Sequence, residues 1–288
     1  MRQNKILIIG ADGYIGTKLS KSLSVDYKII RYSGIYVSGM YFFNLMNPDN
    51  IIDDKIFHKN DIAVFMAGIS SPDVCENDFT NSYQINVTGT KRVIYKLLNK
   101  GVKVIFLSSD IVYGIESNKI FDETSQKTPF GAYGKMKSSV EDEFLNISSF
   151  LTLRLSYIFS FEDKFTKYLL SNYRNEIKEI FHPFLRSIVY VDDLIDVIKS
   201  IIKNWPENNI INVCGESLIS RVDIANAIKD LVIPKLSFKV INPGDNFFSI
   251  RPPIIHTRSI LLHNLLGRKV LSLKESIYRE KEKLNNEN

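Results

Sequence analysis

The sequence has few of the residues that cross-links and metal sites need. Its two cysteines, Cys75 and Cys214, lie far apart and form no CxxC pair, and its four histidines show no HExxH spacing. This excludes a disulfide framework and a zinc site, predicts no metal, and suits a reducing compartment.

No uncharged apolar run approaches the roughly 18 residues of a membrane span, and no signal-peptide pattern is present. We therefore predict a cytoplasmic protein without membrane contact.

The sequence also lacks a strong surplus of one charge. It has 37 Lys and Arg residues against 32 Asp and Glu residues, a formal net charge of +5. The basic residues are scattered among acidic ones, as in residues 279–283. Modules that read nucleic acids need a clustered basic face, so nucleic acid is not a predicted partner. The mild positive surplus suits an anionic small molecule.

Short β-branched runs alternate with longer amphipathic segments in the first half of the chain. This alternation predicts βαβ units and an α/β fold of the Rossmann type, with a doubly wound parallel sheet buried on both faces. After residue 155 the pattern is less regular, which predicts a smaller, discontinuous C-terminal substrate lobe. We expect the sheet domain at 1–158 plus 188–215 and the lobe at 159–187 plus 216–288.

A glycine triplet follows the first apolar run. Gly10, Gly13 and Gly16 form a GxxGxxG motif that also contains Tyr14 and Ile15. Glycines permit a tight turn and let a pyrophosphate approach the amides at the N-terminus of the next helix. Alone, the triplet also fits a plain strand-to-helix turn, but the first βα unit is the context that a dinucleotide site requires. We predict that these five residues bind a cofactor.

Tyr133 and Lys137 are four residues apart in a predicted helix, so both side chains lie on one helix face. A neighbouring ammonium favours the phenolate and brings the phenol towards a useful range for proton transfer. Tyr133 is therefore a candidate acid or base. The pair by itself also occurs by chance in many helices.

Ser109 closes an apolar run that begins at Val102. Ligands of open α/β sheets bind beyond the carboxyl ends of the strands, so a hydroxyl at this place faces the cleft and can bind a substrate oxygen. A serine after a strand is also common as a turn residue or helix cap.

The order and spacing of these three motifs resemble the extended short-chain dehydrogenase/reductase family, which includes nucleotide-sugar epimerases, dehydratases and ketoreductases. The resemblance covers nearly the whole chain. It implies an NAD(P)-dependent oxidoreductase whose catalytic residues are Ser109, Tyr133 and Lys137. By this resemblance Tyr133 exchanges a proton with the sugar, Lys137 also holds the nicotinamide ribose, and Ser109 orients the reacting oxygen.

Other positions resemble the same family. Ala67 and Gly68 end a predicted strand that lines the cofactor in the family, and Asn86 begins a segment similar to a family helix signature. Arg186 resembles the arginine that flanks the substrate cleft. The resemblance therefore implies cofactor contacts for Ala67, Gly68 and Asn86 and a substrate contact for Arg186.

Two positions depart from the family pattern. The second strand lacks the acidic residue that would hold a ribose 2′-hydroxyl and offers Arg31, which can accommodate a 2′-phosphate. We therefore expect NADP(H), with NAD(H) as the alternative if Arg31 lies inside the strand and points elsewhere. Phe159-Ser160 replaces an aromatic-Gly pair, so the loop near the nicotinamide is expected to differ.

Asp110 after Ser109 resembles nucleotide-sugar ketoreductases of the dTDP-4-dehydrorhamnose reductase type, whereas 4,6-dehydratases carry Thr-Asp-Glu at this place. We expect NADPH-dependent reduction of a nucleotide-activated 4-keto-6-deoxysugar in deoxysugar or surface polysaccharide biosynthesis. A nucleotide-sugar 4-epimerase of the same family is the alternative. A catalytically inactive NADP-binding sensor or scaffold is the alternative of another class.

The expected partner is therefore a nucleotide-diphosphate sugar. Arg186 and Arg251 are candidates for its diphosphate, because guanidinium groups bind phosphate oxygens bidentately, although each also fits a surface ion pair. Ser109 and Asp110 are candidates for the sugar. Family members often dimerise through two helices, here 87–98 and the helix of Tyr133, so a homodimer is expected. Second-lobe aromatic residues can stack on the base or simply pack together: Phe161, Phe165, Tyr168, Phe181 and Phe184.

Overall fold

The structure, a computed structural model, describes residues 4–47, 56–116, 118–171, 173–174 and 176–286. Its strands are β1 (Lys5–Ile9), β2 (Lys28–Ser33), β3 (Tyr41–Phe42), β4 (Ile62–Phe65), β5 (Lys103–Ser109), β6 (Ile120–Phe121), β7 (Phe150–Leu155), β8 (Ile158–Phe159), β9 (Lys178–Phe181), β10 (Leu185–Arg186), β11 (Val189–Tyr190), β12 (Ile210–Val213), β13 (Ile219–Ser220), β14 (Phe238–Ile241) and β15 (Ile254–Thr257).

The helices of the described residues are α1 (Tyr14–Leu23), α2 (Pro72–Asn77), α3 (Phe79–Tyr83), α4 (Thr90–Asn99), α5 (Gly131–Phe144), α6 (Lys164–Leu170), α7 (Val191–Lys203), α8 (Arg221–Leu231), α9 (Asp245–Phe248), α10 (Leu262–Leu266) and α11 (Leu273–Asn286). A π-helical turn at Gln84–Gly89 precedes α4. None of these helices combines the length and the apolar character that crossing a membrane would need.

A seven-stranded sheet has the order β12-β7-β5-β4-β1-β2-β3. The pairs β1–β2, β1–β4, β2–β3 and β4–β5 are all parallel. Strands β4 and β7 are buried along their whole length, and β4 is the continuous apolar run that a parallel sheet covered on both faces requires. The prediction of a Rossmann-type α/β fold is confirmed.

The strand order reverses between β1 and β4, although the two strands run parallel. From β1 the sheet grows through β2 to β3 on one side and through β4 to β5 on the other. Ligands of doubly wound sheets bind beyond the carboxyl ends of the strands at such a switch point. Gly10 follows β1 and Met66 follows β4, so this fold brings the glycine motif and the segment 66–68 to one edge of the sheet.

Periodic apolar positions hold α4 and α5 in the core. Val93, Ile94 and Leu97 of α4 and Val140 and Phe144 of α5 are buried in one cluster with side chains of β4, β5 and β7. The spacing of three and four residues places these side chains on one stripe of each helix. This packing fixes α5 against the end of β5, where Ser109 lies.

The chain forms two compact units. Unit 1 contains residues 1–112, 129–154 and 199–211, and unit 2 contains 113–128, 155–198 and 212–288. The division predicted from the sequence, with 1–158 plus 188–215 as the NAD(P)-binding domain and 159–187 plus 216–288 as the substrate lobe, stays a prediction.

Unit 2 is built from smaller sheets and short helices. Its largest sheet has the order β13-β10-β15-β6, and two-stranded sheets pair β8 with β11 and β9 with β14. Helix α11 is fixed by polar contacts: the Tyr190 hydroxyl donates to Glu280 Oε1 at 2.6 Å, and Lys283 Nζ lies 2.8 Å from Asp192 Oδ2. These contacts attach the last helix to the rest of unit 2.

Candidate active site

The glycine motif forms the tight turn that the sequence predicts. Gly10 has a positive φ of +93°, and a Cβ there would lie 2.9 Å from the backbone nitrogen of Ala67. A Cβ at Gly16 would lie 2.8 Å from the Ala11 Cα and closer still to the Gly10 carbonyl oxygen. The amides of Gly10 and Ala11 both donate to the Tyr32 carbonyl oxygen, at 3.0 and 2.9 Å. Side chains at these glycines would therefore separate α1 from the strand ends.

A pocket of about 310 Å³ opens beside this turn; we call it the glycine pocket. The N-cap of α1 is Gly13, which has no side chain to cap the first turn. Among the described residues, a Cβ there would meet only the Gly10 oxygen within 4 Å, at 3.4 Å. Amides at a helix N-terminus favour an anion, so the pocket fits the pyrophosphate of a dinucleotide. Its lining is Gly10, Asp12, Gly13, Gly34, Phe43, Asn44, Leu45, Met66, Ala67, Gly68 and Ile85.

The structure places five of the predicted cofactor residues at this pocket or at the turn beside it. Gly10, Gly13, Ala67 and Gly68 line it, and Gly16 packs under the turn. Tyr14 and Ile15 are the first two residues of α1. Their roles towards a cofactor stay predictions.

Asn86 hydrogen-bonds to Ile69, the residue after Gly68 in the wall of the glycine pocket. Its Nδ2 donates to the Ile69 carbonyl oxygen at 2.9 Å, and its Oδ1 accepts from the Ile69 amide at 2.7 Å. Its Nδ2 also lies 3.8 Å from the Met136 sulfur on α5. Asn86 therefore holds the loop after Gly68 and does not itself line the glycine pocket in the described part of the chain.

Arg31 is not brought to the glycine pocket. It lies inside β2, its Nη2 donates to the Gly39 carbonyl oxygen at 3.3 Å, and it lines a different cavity with Thr17 and Lys21 of α1. Side chains alternate along a strand, so a residue inside β2 need not face the pocket at the end of that strand. A role for Arg31 at a 2′-phosphate stays a prediction without support from this geometry.

The end of β5 and helix α5 bring the three predicted catalytic residues into one region. Ser109 is the last residue of β5, and its Oγ lies 3.3 Å from Asp110 Oδ1. Lys137 Nζ donates to the Leu107 carbonyl oxygen at 2.8 Å and lies 5.8 Å from the centre of the Tyr133 ring. The serine, the phenol and the ammonium are thus held on two adjoining elements of unit 1.

Burial dominates the electrostatics of this region. It raises the pKa of Tyr133, and the nearby Cys75 and Asp110 raise it further. The sequence led us to expect the opposite direction through Lys137, and that expectation is wrong because loss of hydration is the largest influence on the phenol. Burial also lowers the pKa of Lys137 to about 8, against the opposing effects of Glu141 and Cys75. At neutral pH the phenol is therefore protonated and the ammonium is charged.

Unit 2 contains a separate cavity of about 510 Å³, the aromatic pocket. Arg251 lines it, with its guanidinium 4.7 Å from the centre of the Phe247 ring. The cationic members favour an anionic ligand, and the aromatic members offer ring faces. The lining is Tyr157, Asp163, Lys164, Phe165, Tyr168, Glu179, Phe181, Arg221, Phe247 and Arg251.

Arg186, the other predicted substrate arginine, does not line the aromatic pocket in the described residues. Its Nη1 donates to the Leu185 carbonyl oxygen and its Nη2 to the Pro252 carbonyl oxygen, each at 2.7 Å. It is buried and joins the chain around β10 to the chain before β15. This geometry gives Arg186 a structural role, and a substrate contact stays a prediction.

Arg221 is a candidate that the sequence reasoning missed. It is the first residue of α8, and its guanidinium lies 5.0 and 4.5 Å from the Phe165 and Phe184 rings. Its buried Nε has no hydrogen-bond partner among the described residues. A cation is unfavourable at a helix N-terminus unless an anion compensates it. The signal was present in the sequence as a capping motif, Ser220 to Asp223, with an arginine directly after the cap.

A sequence profile described as the RmlD substrate binding domain matches residues 4–243. Among curated proteins, the N-acetyl-alpha-D-glucosaminyl-diphospho-ditrans,octacis-undecaprenol 4-epimerase of Escherichia coli O157:H7 is 28% identical over 222 residues. The match covers 70% of this chain and 64% of that epimerase, so the chain spans less than two thirds of this relative's length.

Two solved structures share the fold. A dTDP-4-dehydrorhamnose reductase from Bacillus anthracis str. Ames, in complex with NADP, has a TM-score of 0.83 at 20% identity, with 98% of this chain and 99% of that chain covered. A UDP-glucuronic acid 4-epimerase from Bacillus cereus, in complex with UDP-glucuronic acid and NAD, has a TM-score of 0.78 at 18% identity, with 99% and 100% covered. At these identities the likeness shows the fold alone.

Proposed function

Because the chain belongs to the family described as the RmlD substrate binding domain, we propose that it reduces a nucleotide-activated 4-keto-6-deoxysugar with NADPH. The observation that carries the proposal is the pairing of Tyr133, a phenol whose burial raises its pKa, with the charged Lys137 on the same helix face. A phenol that stays protonated at neutral pH is suited to give a proton to a carbonyl oxygen.

The glycine pocket would hold the cofactor, with NAD(H) as the alternative to NADP(H). Gly10 and Gly13 leave room for the pyrophosphate at the N-terminus of α1, and Ala67 and Gly68 form the wall beyond β4. When bound, the dihydronicotinamide supplies the hydride that reduces the sugar. The residues of the chain supply the proton and the orientation.

Tyr133 would donate its hydroxyl proton to the oxygen of the keto group. Ser109 would orient that oxygen, since its hydroxyl lies at the end of β5 beside the acidic Asp110. Lys137 would stabilise the phenolate that remains after the transfer, because its ammonium lies 5.8 Å from the ring centre. Proton transfer of this kind contributes on the order of 10²–10⁴ in rate.

The aromatic pocket of unit 2 would bind the nucleotide diphosphate. Arg221 and Arg251 both line it. The part of the chain that the structure describes offers the buried Nε of Arg221 no hydrogen-bond partner, and an anionic oxygen would supply one. Phe165 and Phe247 offer ring faces to a base. An anion at Arg221 would also offset the unfavourable placement of this cation at the start of α8.

The test is a turnover assay with purified protein, NADPH and a panel of nucleotide-activated 4-keto-6-deoxysugars, followed by loss of nicotinamide absorbance. We expect oxidation of NADPH that falls at least 100-fold in Tyr133→Phe. Tyr95→Phe is the matched control, because Tyr95 is an exposed tyrosine on α4 whose hydroxyl bonds to Glu143. Equal rates for wild type and Tyr133→Phe would refute the proposed role of the phenol.

A 4-epimerase is the second candidate, and the 28% identity to a 4-epimerase favours it. The same assay separates the two activities. An epimerase would convert a nucleotide sugar into its C4 stereoisomer without net consumption of NADPH, whereas a reductase consumes one NADPH for each product. Product analysis by NMR or chromatography of the nucleotide sugars decides between them.

A further inference from the structure

A buried ion pair lies behind the candidate active site in unit 1. Glu141 of α5 and Arg154 of β7 have side chains that are only 1% and 3% exposed. Arg154 donates to Glu141 Oε2 through Nη2 at 2.7 Å and through Nε at 3.1 Å. The other carboxylate oxygen, Oε1, accepts a hydrogen bond from the Ser108 hydroxyl. One carboxylate thus joins α5, β5 and β7.

This network adjoins the catalytic residues from two directions. Glu141 is one helical turn after Lys137, so the two side chains lie on the same face of α5. Ser108 directly precedes Ser109, and the Lys137 ammonium donates to Leu107 at 2.8 Å. Residues 107 and 108 are therefore both attached to α5, and Ser109 is the next residue along the strand.

Packing alone gives no reason for charges at this place. Helix α5 already buries Met136, Val140 and Phe144, and replacement of a buried ion pair by apolar residues is often neutral for stability. A buried ion pair that also contacts the serine beside a candidate catalytic residue has a more specific use. It can hold one carboxylate, in one orientation, near the Lys137 ammonium.

A nearby negative charge favours the protonated form of Lys137. Its burial lowers its pKa to about 8, which the Glu141 carboxylate opposes. The other titratable group that acts on it is the Cys75 thiol of α2, while Tyr133 shares its helix face and is itself influenced by Asp110 after β5. Glu141 is the largest of the influences that favour the charged ammonium.

We propose that Glu141 is a positioning residue of the candidate active site: its carboxylate, fixed by Arg154 and Ser108, holds α5 against the end of β5 and keeps the Lys137 ammonium charged. The consequence for catalysis rests on the proposed function. The effect on the charge of Lys137 does not, and it is measurable without turnover.

The first experiment titrates Lys137 directly with cyanate, a small reagent that carbamylates only neutral amines. Mass spectrometry of the peptide around residues 135–137 gives the rate at Lys137 as a function of pH, with the exposed Lys135 as an internal reference. In Glu141→Gln we expect the midpoint for Lys137 to fall by about one pH unit, which raises its rate at pH 7 about fivefold relative to Lys135. Glu141→Asp, which keeps the negative charge, should bring the Lys137 midpoint most of the way back to its wild-type value.

Glu143→Gln is the matched control, because it removes an exposed carboxylate from the same helix. It should leave the midpoint of Lys137 unchanged. If Glu141→Gln does not fold, Glu141→Gln/Arg154→Met removes both charges, and we expect a smaller fall of the Lys137 midpoint with a rise of about threefold in its rate at neutral pH. A folded Glu141 variant with the wild-type midpoint would overturn the proposal.

The second experiment separates position from charge. Ser108→Ala removes the hydrogen bond to Glu141 but keeps both charges, so we expect kcat to fall about tenfold while KM and the Lys137 midpoint stay at wild-type values. An unchanged kcat would overturn the positioning half of the proposal. If wild-type protein turns over no substrate of the panel, the proposed function fails, and the cyanate titration still decides the effect of Glu141 on Lys137.

Discussion

Gly16, the last glycine of the turn motif, is the position where one methyl group is expected to disturb unit 1 most. A Cβ there would lie 2.8 Å from the Ala11 Cα and nearer still to the Gly10 carbonyl oxygen, whereas ordinary contacts begin at 3.4 Å. Both are backbone atoms that cannot rotate away, so α1 must move away from the end of β1. Overpacking costs about 1–3 kcal/mol, and we expect about 3 kcal/mol for Gly16→Ala because the backbone itself must shift.

Gly13 and Gly34, which line the glycine pocket, provide matched controls for stability. Within the described ranges, a Cβ at Gly13 would make one contact at 3.4 Å and a Cβ at Gly34 would meet nothing within 4 Å, and neither residue has a positive φ. Gly34→Ala should therefore unfold like wild type. Gly13→Ala should also keep its stability but bind NADPH at least tenfold more weakly, because its methyl group occupies the uncapped start of α1.

Urea unfolding gives the stability of Gly16→Ala, Gly13→Ala and Gly34→Ala through the fluorescence of Trp205, the single tryptophan. Trp205 lies in unit 1 and donates to the Ser148 carbonyl oxygen. With a dependence of about 1–3 kcal/mol per molar urea, a loss of 3 kcal/mol lowers the midpoint by about 1 M or more. NADPH affinity follows from the emission of the bound nicotinamide. The same midpoint for Gly16→Ala and Gly34→Ala would refute the close packing of α1 on the turn.

Three further measurements probe charges. The kcat/KM for ketone reduction should stay level up to about pH 8 and fall above it, because the Lys137 ammonium then loses its proton. Arg221→Met should raise KM for the nucleotide sugar at least tenfold with little change of kcat, whereas the exposed Arg279→Met should change neither. Hydrogen bonds from Thr124 and Arg258 lower the pKa of the Asp122 carboxyl to about 2. The Asp122 carboxylate therefore stabilises unit 2 at pH values above its unfolded pKa of 3.8, and this contribution disappears as pH falls through 2. Asp122→Asn should therefore cost about 1–2 kcal/mol at pH 7 and almost nothing near pH 2, as measured by circular dichroism during urea unfolding.

The sequence predicted the central sheet well because buried parallel strands are continuous apolar runs. The apolar run before the glycine triplet corresponds to β1, and the run from Val102 that Ser109 closes corresponds to β5. Two-residue strands such as β6 and β13 are too short to produce a period, so no sequence pattern identifies them. The family resemblance and, at the level of the family, the class of NAD(P)-dependent oxidoreductases are confirmed by the profile match. The homodimer and the cytoplasmic location stay predictions.

Candidate site residues were predictable where local spacing decides their position. Tyr133 and Lys137 share a face because they are one turn apart, and glycines follow β1 because a tight turn needs them. Long side chains were not predictable, because distant carbonyl groups decide where they end. Arg186 donates to Pro252, 66 residues away, and such a contact has no signature in the local sequence.

The direction of the Tyr133 pKa bears on which reaction the site favours. Sequence spacing shows the nearby ammonium, but it does not show the loss of hydration that raises the pKa of the phenol. Reduction of a ketone needs the protonated phenol as its acid, which a raised pKa preserves. Oxidation of a sugar hydroxyl, the first step of an epimerase, needs the phenolate as its base, which the same burial opposes. The rate of sugar oxidation should therefore rise with pH between 6 and 8 while the rate of ketone reduction stays level, and the same pH profile for both directions would refute the raised pKa of Tyr133.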